Sequence, residues 1–387
     1  MKIFHVSDLH IGKTLNGYAL AENQRMVLGQ IIQYAKVERP DALLICGDIY
    51  DRSVPSGDAY ELFDQFITEF SEIEPKIPVL LIAGNHDSPQ RLAYAEQFLE
   101  KHQIYISTMP PQSDESYMKK VTLEDSFGPV HFYLLPFTKP GYLSKMTDAP
   151  TDSYEGAVSY LIQREHIDKN SRNVLLAHQF FAGTGQQMEL CESEQSVIMA
   201  GGLDRISSDV IKEFDYAALG HLHGRQQCGY EHVRYCGTPY KYSISESTHN
   251  KSITVVMLGK KGEPLSYEYL PLQGLQEVRK LKGIFAEVLA QATEDNRHDF
   301  VSITITDEEE PYHFRDKLKE VYDCMLDVRV DNMRTREKLS EQAETIKQLS
   351  PMETFAAFYQ AVHHMPMSQE ECAVMEKIFD QIREAEE

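Results

Sequence analysis

Residues 42–51, Ala42-Leu43-Leu44-Ile45-Cys46-Gly47-Asp48-Ile49-Tyr50-Asp51, join a short apolar run to a glycine and two carboxylates. An apolar run of this length that stops at a turn residue is typical of a buried strand. The polar residues that follow would then lie in the loop at the strand end, a common place for binding and catalytic side chains. The stretch therefore predicts an α/β domain that carries chemistry at the end of a strand.

The same arrangement recurs at four other places in residues 1–272. The apolar runs are Lys2–Val6, Val79–Ala83, Asn173–Ala177 and Ala217–Leu219. The polar segments that follow them are Asp8-Leu9-His10, Gly84-Asn85-His86-Asp87, His178 and Gly220-His221-Leu222-His223. Strands that alternate with helices predict a layered α/β domain, and a hairpin of Ser252–Leu258 with Leu265–Leu270 would close it.

Each polar segment is weak evidence when taken alone. A single Asp-x-His is usually a turn, a single histidine such as His178 is usually structural, and the glycines could be turn residues. The shared position at strand ends changes this interpretation, because an α/β sheet brings such ends together at one edge. The five segments together predict one common site.

The candidate ligands in these segments number seven and combine oxygen with nitrogen donors. They are Asp8, His10, Asp48, Asn85, His178, His221 and His223. Seven donors exceed the need of one ion but suit two ions that share a carboxylate, and both oxygens of Asp48 can coordinate. Because no thiolate is among them, the donor set favours manganese, iron or zinc over calcium.

Composition narrows the class of protein without fixing the substrate. The net charge of −22 argues against a general nucleic-acid coat protein, which would be basic, but not against a nuclease that uses divalent cations. The six cysteines are scattered, and neither a signal peptide nor an apolar run of about 18 residues is recognisable. Together these features favour reduced thiols in a cytoplasmic protein with no membrane segment.

Two early helices have clear start signals. Ser56 would cap a helix with an apolar face, and Ser88-Pro89 would begin a second one that carries Leu92, Ala95, Phe98 and Leu99. Either apolar face could pack into the core or form a dimer interface.

The C-terminal third differs from what precedes it. Residues 273–335 alternate strand, helix, strand, helix, strand and predict a small α+β domain. A polar linker at 336–349 is followed by two capping boxes, which begin at Ser350 and Ser368 and predict two short amphipathic helices. These helices would either fold back on the body or dock on a partner.

The five-motif series resembles the calcineurin-like metallophosphoesterase family. More narrowly, Ser7–Lys13, Gly47–Arg52 and Gly237-Thr238-Pro239 resemble the SbcD family of bacterial recombination-repair nucleases, which work with a long coiled-coil ATPase, SbcC. The resemblance covers essentially the whole chain. It implies an αββα sandwich at 1–272, a capping domain at 273–335, and a helix-loop-helix within 336–387 that docks on the SbcC-type ATPase.

The resemblance also implies a role for each candidate residue of the site. One ion would lie among Asp8, His10, Asp48 and His223, and the second among Asp48, Asn85, His178 and His221. His86 matches the catalytic histidine of the family, and Asp51 falls where a polar residue helps to position it, although many relatives have histidine there. A homodimer would form through helices near 57–71 and 89–102.

The activity implied is hydrolysis of DNA by two divalent ions, most simply Mn²⁺, as a 3′–5′ exonuclease and a single-strand or hairpin endonuclease at DNA ends and hairpins. A hydroxide would attack phosphorus, and His86 would protonate or stabilise the departing 3′-oxygen. Lys13, Arg52 and Arg91 lie beside the motifs and could hold the DNA backbone. Two alternatives stay open: a metallophosphoesterase with another substrate, and a non-catalytic subunit that tethers DNA ends.

Overall fold

The computed structural model describes residues 1–192, 194, 204–336 and 350–386. The chain divides into two compact units. The first contains residues 1–280, 294–302 and 322–326, and the second contains 281–293, 303–321 and the rest of the chain from 327.

Two six-stranded sheets form the body of the first unit. One sheet contains β1 (Lys2–Val6), β4 (Ala42–Cys46), β5 (Val79–Ile82), β6 (Ile104–Ser107), β15 (Ser252–Met257) and β16 (Ser266–Pro271), in the order β16-β15-β1-β4-β5-β6. The other contains β7 (Lys119–Asp125), β8 (Gly128–Leu135), β9 (Arg172–His178), β12 (Tyr216–Gly220), β13 (Gln226–Cys228) and β14 (Tyr230–Tyr235), in the order β13-β14-β12-β9-β8-β7. Two short ribbons pair β2 (Thr14–Leu15) with β3 (Tyr18–Ala19), and β10 (Phe181–Ala182) with β11 (Ile206–Ser207).

Helices cover the outer faces of these sheets. They are α1 (Ala21–Glu38), α2 (Gly57–Ser71), α3 (Pro89–Leu92), α4 (Glu96–Glu100) and α5 (Tyr154–Arg164). Successive residues of a strand point to opposite faces, so Leu43 packs with α1 and α2 while Leu44 packs against the other sheet. On the second sheet, Leu175 packs with α5 and Leu176 faces the first sheet. These layers confirm the predicted αββα sandwich.

The direction of the strands explains why the polar segments meet. In the first sheet β1, β4, β5 and β6 are parallel, and in the second β8, β9, β12 and β14 are parallel. Among the described strands of these sheets, antiparallel pairs are formed where β15 lies between β1 and β16, where β7 joins β8 and where β13 joins β14. The carboxyl ends of parallel strands share an edge, and the predicted ligands follow β1, β4, β5, β9 and β12 at such ends.

The two early helices differ in how well they were predicted. Helix α2 begins after Ser56, whose side chain accepts a hydrogen bond from the backbone N–H of Ala59, as predicted. The prediction of a single helix near 89–102 is wrong, because the segment forms two short helices, α3 and α4. Ala95 separates them with a left-handed backbone (φ 62°), which interrupts the helical hydrogen bonding.

The elements after residue 273 follow the predicted order. A three-stranded sheet contains β17 (Val278–Gly283), β18 (Phe300–Ile305) and β19 (Cys324–Val330), with α6 (Phe285–Ala290) and α7 (Phe314–Val321) between them. Ile303, Ile305, Phe314 and Leu318 are buried, so alternate strand residues and one helix face supply apolar packing in the second unit. The domain boundary at 273 stays a prediction.

Two helices end the described chain, α8 (Pro351–His363) and α9 (Gln369–Glu386). Ser350 and Glu353 form the predicted capping box, and Ser368 with Glu371 forms a second one. The ring centroids of Phe355 and Phe379 lie 6.4 Å apart, so the two helices pack on each other. Residues 337–349 of the predicted linker lie outside the described residues, and no described helix has the length and apolarity needed to cross a membrane.

Candidate metal centre

Asp48 lies at the centre of the predicted ligand set. Its Oδ2 atom lies 3.4 Å from Nε2 of His178, 3.7 Å from Nε2 of His10 and 3.9 Å from Nε2 of His86. These histidines come from loops or strand ends in both sheets. The loop after β4 therefore supplies the carboxylate that the other segments surround.

The donors around Asp48 form two groups. In the first, Asp8, His10 and His223 each offer a ligand atom within 4.8 Å of the others. In the second, Oδ1 of Asn85 lies 3.1 Å from Nε2 of His178 and 3.1 Å from Nδ1 of His221. The structure thus brings all seven predicted ligands together.

The chemistry of the donors fits divalent metal ions. Both ring nitrogens of His10 are buried without a hydrogen-bond partner in the described structure, and a buried polar atom left in this way costs about 1–3 kcal/mol. Burial holds the pKa of His10 well below its usual value, so the ring is neutral and can donate a lone pair. Carboxylate, amide and imidazole donors are those that borderline divalent metals accept, and the site fits such ions.

The protonation states of His221 and His178 also bear on how the site would hold an ion. Burial and then His178 lower the pKa of His221 to about 3, so its ring is neutral as well. Burial also opposes the charge on His178, but Asp48 and Asp8 outweigh it and raise the pKa of His178 to about 9. The positive charge that Asp48 and Asp8 favour on His178 is one that a bound cation would supply in its place.

The backbone around the site is strained. Asp8, His10, Asp48 and His221 have φ values of 52°, 43°, 49° and 103°, in the left-handed region that residues with a side chain rarely adopt. Such conformations cost on the order of 1–3 kcal/mol each and are found mainly where function requires them. Four of the seven predicted ligands therefore have a backbone conformation that packing alone would not favour.

The motif glycines allow the loops to approach one another. A Cβ on Gly84 would lie 2.1 Å from Oδ1 of Asp48, and a Cβ on Gly220 would lie 1.9 Å from the carbonyl oxygen of Cys46. Both distances are far below contact distance. These two positions therefore require glycine because a side chain would collide with the neighbouring segment, whatever the turn conformation.

Asp87 has a role that the sequence did not reveal, although it belongs to the Gly84-Asn85-His86-Asp87 motif. Its buried carboxylate accepts hydrogen bonds from the backbone N–H groups of Ile49, Tyr50 and Gly84 at 2.9–3.1 Å. It thereby joins the loop that carries Asp48 to the loop that carries Asn85. Burial and then the charge of Asp48 raise the pKa of Asp87 to about 6.

His86 and Asp51 meet through the backbone. Nδ1 of His86 lies 2.8 Å from the carbonyl oxygen of Asp51, so it donates to that oxygen and leaves Nε2 facing Asp48. The side chain of Asp51 instead binds Nζ of Lys13 at 2.7 Å and lies 3.6 Å from Nδ1 of His10. The Asp51 side chain therefore contacts the predicted DNA-binding Lys13 and not His86.

The other predicted DNA-binding residues lie on the surface. Arg52 is 79% exposed next to Asp51, and Arg91 is exposed in α3. Glu246 is a further carboxylate that the sequence did not reveal, and it contacts His223 directly. No motif contains Glu246, so only the folded chain could identify it.

Known proteins match the chain along most of its length. A family model described as calcineurin-like phosphoesterase matches residues 1–225, and one described as type 5 capsule protein repressor C-terminal domain matches 274–363. The chain is 30% identical to the SbcD component of the nuclease SbcCD of Staphylococcus epidermidis over 84% of each chain. It is 31% identical to that of Staphylococcus saprophyticus over 76% of this chain and 75% of the relative.

Among solved structures, the protein TT1561 of Thermus thermophilus covers 69% of this chain and 98% of its own length at 12% identity. Its TM-score of 0.39 is too low to bear on the fold. The family models, the two relatives and the divalent-metal ligand set at the strand ends agree with one another. The chain belongs to the calcineurin-like phosphoesterase family and, within it, to the SbcD family of metal-dependent nucleases.

Proposed function

We propose that this chain hydrolyses DNA phosphodiester bonds, at DNA ends and in hairpins, as the nuclease subunit of an SbcCD-type complex. The observation that carries the proposal is the convergence of seven residues with oxygen and nitrogen donors, Asp48 at their centre, with Nε2 of His86 beside them. The names of the two staphylococcal relatives support the nuclease activity and the complex.

Two divalent ions would share Asp48, as the two groups of donors suggest. Asp8, His10 and His223 would complete the site of the first ion, and Asn85, His178 and His221 that of the second. Manganese is the ion we favour, because the donors mix carboxylate and amide oxygen with imidazole. When bound, such ions polarise the phosphate and lower the pKa of water that attacks it.

His86 would donate a proton to the departing 3′-oxygen. Its Nδ1 atom is engaged by the carbonyl of Asp51, which leaves Nε2 as the nitrogen that can reach the leaving group. The side chain of His86 is 38% exposed, whereas those of His10 and His178 are buried. His86 can therefore contact the substrate without a conformational change. Asp51 would act on His86 through its backbone and on Lys13 through its side chain.

DNA would be held by cations around the opening. Arg52 and Arg91 are exposed and could contact phosphates, which would fix the backbone without reading sequence. Lys13 is only 19% exposed and paired with Asp51, so it would reach a phosphate only near the scissile bond. We expect the capping domain at 273–335 to help orient the duplex.

A coiled-coil ATPase of the SbcC type would bind the tail helices. Phe358 and Val362 on α8 and Val374 and Ile378 on α9 are at least 40% exposed, so this helix pair offers apolar side chains to a partner. Docking of a helix pair on a coiled coil is an association of amphipathic helices. The cytoplasm is the compartment we expect for such a complex.

A homodimer would form at α2, α3 and α4. A cavity of about 590 Å³ lies there, and Tyr94 and Phe98 beside it are 84% and 62% exposed. Aromatic side chains left this open are unusual on the surface of a monomer and common at protein interfaces.

The test compares substrates with the same metal. Linear duplex DNA and a small phosphomonoester, p-nitrophenyl phosphate, are each incubated with the purified full chain and Mn²⁺, with and without an SbcC-type partner. We expect DNA cleavage to exceed phosphomonoester hydrolysis. Preference for the monoester would point to a different phosphoesterase, and DNA binding without cleavage of either substrate would support a tethering subunit.

A further inference from the structure

Glu246 lies next to the proposed metal centre but outside every motif of the family resemblance. It belongs to a short turn at Ile244–Thr248, and its side chain is completely buried. Its Oε1 atom lies 3.1 Å from Nδ1 of His223, and its Oε2 atom lies 2.6 Å from Nζ of Lys251. A buried carboxylate is costly unless it is paired, and here each oxygen has a specific partner.

The contact with His223 determines which ring nitrogen faces the ion. A carboxylate can only accept, so Nδ1 of His223 carries the proton and donates it to Glu246. The other ring nitrogen then keeps its lone pair and is the one left for a metal. Histidine ligands in metalloproteins are commonly oriented by a carboxylate in this way.

Lys251 holds Glu246 in place and keeps it charged. Its buried ammonium donates to Glu246, to the hydroxyl of Thr238 at 2.5 Å and to the carbonyl of His223 at 3.0 Å. Thr238 in turn donates to Oε2 of Glu246 at 3.0 Å. The ring and the backbone of His223 are therefore tied to the same buried ion pair.

A third metal site is the main alternative for this cluster. Cys191, Glu246 and His249 each offer a ligand atom within 4.8 Å of the others. Nζ of Lys251 already lies 2.6 Å from Glu246 and 3.4 Å from Nδ1 of His249, so a cation is present among these donors. A second cation there would face direct repulsion, and the cluster is better explained as a support for His223.

We propose that Glu246 is a positioning residue that fixes the tautomer and orientation of His223 for the first ion, with Lys251 as its anchor. The proposal rests on the metal centre put forward under Proposed function. A positioning role for Glu246 predicts weaker binding of one ion and unchanged binding of the other. A purely structural role would weaken the binding of both ions.

Binding of Mn²⁺ to the full chain, measured by isothermal titration calorimetry, provides the test. The wild type should bind two ions, and Glu246→Gln should bind one of them about 10–100-fold more weakly while the other is unchanged. Asp125→Asn is the matched control, because it breaks another ion pair, with the buried Arg172, at the far end of β7. It should keep both affinities if folded, as judged by circular dichroism.

The possible outcomes distinguish failure of the role proposed for Glu246 from failure of the proposed metal-dependent function. If the wild type binds no Mn²⁺, the proposed function fails. If the wild type binds two ions and Glu246→Gln binds both equally well, the role of Glu246 is wrong. An equal loss in Asp125→Asn would also overturn it, because the defect would then be general.

A second measurement observes His223 in the wild type and needs no substitution of Glu246. Nitrogen-15 NMR of the histidine-labelled wild type, loaded with diamagnetic Zn²⁺ and assigned with His223→Gln, reports which ring nitrogen carries the proton. We expect the proton of His223 on Nδ1 and the metal on Nε2. A proton on Nε2 would overturn the proposal.

Discussion

Nδ1 of His178 lies 2.7 Å from the carbonyl oxygen of Cys46. His178 ends β9 in the second sheet, and Cys46 ends β4 in the first, so this hydrogen bond joins the two sheets at the site. A carbonyl can only accept, which places the proton on Nδ1 and directs Nε2 toward Asp48 at 3.4 Å. The scaffold thus sets the tautomer that a metal requires.

Replacing His178 should remove one ion. In His178→Ala the second ion loses a nitrogen ligand, so we expect one Mn²⁺ per chain in place of two and at least about a 100-fold fall in DNA cleavage. Metal content by mass spectrometry after gel filtration, together with a nuclease assay, checks this. His232→Ala, in the same sheet but outside the site, should match the wild type. Two tightly bound ions in His178→Ala would contradict the assignment.

His86→Ala should separate chemistry from metal binding. His86 lies 3.9 Å from Asp48 but is not one of the seven ligands, so both ions should remain. Loss of a proton donor should lower the cleavage rate by about 10²–10⁴-fold. Single-turnover cleavage and Mn²⁺ stoichiometry are measured on one sample, and a variant that retains both ions and full cleavage would rule out a catalytic His86.

Asp51→Asn should have a milder effect than His86→Ala. The contact with His86 uses the backbone carbonyl of Asp51 and survives the substitution, whereas the ion pair with Lys13 is lost. We expect about a tenfold fall in cleavage, with Lys13→Met similar and the double variant no worse than either single one. A loss in Asp51→Asn as large as in His86→Ala would show that the carboxylate itself acts on His86.

Gly84→Ala should disturb the site through Asp48. The added Cβ would lie 2.1 Å from Oδ1 and 2.4 Å from the backbone nitrogen of Asp48, so the Asp48 carboxylate must move. Misplacement of a reacting group by about 1 Å costs on the order of 100-fold in rate. Gly57→Ala is the matched control, since its Cβ would meet nothing within 4 Å at the start of α2. Equal cleavage by the two variants would contradict this explanation.

The pair of Asp125 and Arg172 should make stability depend on pH. Two hydrogen bonds of 2.6 Å and 2.9 Å from Arg172 hold the pKa of Asp125 well below its usual value. A depressed carboxyl pKa stabilises the fold above about pH 3.9, and this stabilisation is lost as the pH falls further.

Asp125→Asn should therefore lower the free energy of unfolding at pH 7 by about 2–4 kcal/mol, because the buried Arg172 and the N-terminal amine both lose their carboxylate counter-ion. The difference from wild type should shrink below about pH 4. Urea unfolding in EDTA across this range measures both effects. Glu213→Gln, which breaks the exposed pair with Lys169, is the control and should change little. A constant difference at all pH values would contradict the proposed pKa.

The sequence alone predicted the five strands that lead to the site and the seven candidate ligands, because both follow from local sequence patterns. A short apolar run followed by Gly, Asp, Asn or His predicts a buried strand and its end without knowledge of the partner strands. Ser56, Ser350 and Ser368 were predicted as helix starts for the same reason, since a cap bonds only to residues three positions away.

The tertiary structure decided what depends on contacts between distant segments. The break at Ala95 was missed because Leu92, Ala95 and Leu99 have a spacing that also suits one continuous helix. Asp87 and Glu246 gained their roles only when other loops presented backbone N–H groups and the ring of His223 to them. A single sequence has no local signal for such pairings. Burial of a polar group costs free energy, and the hydrogen-bond partners that offset this cost meet it only in the folded chain.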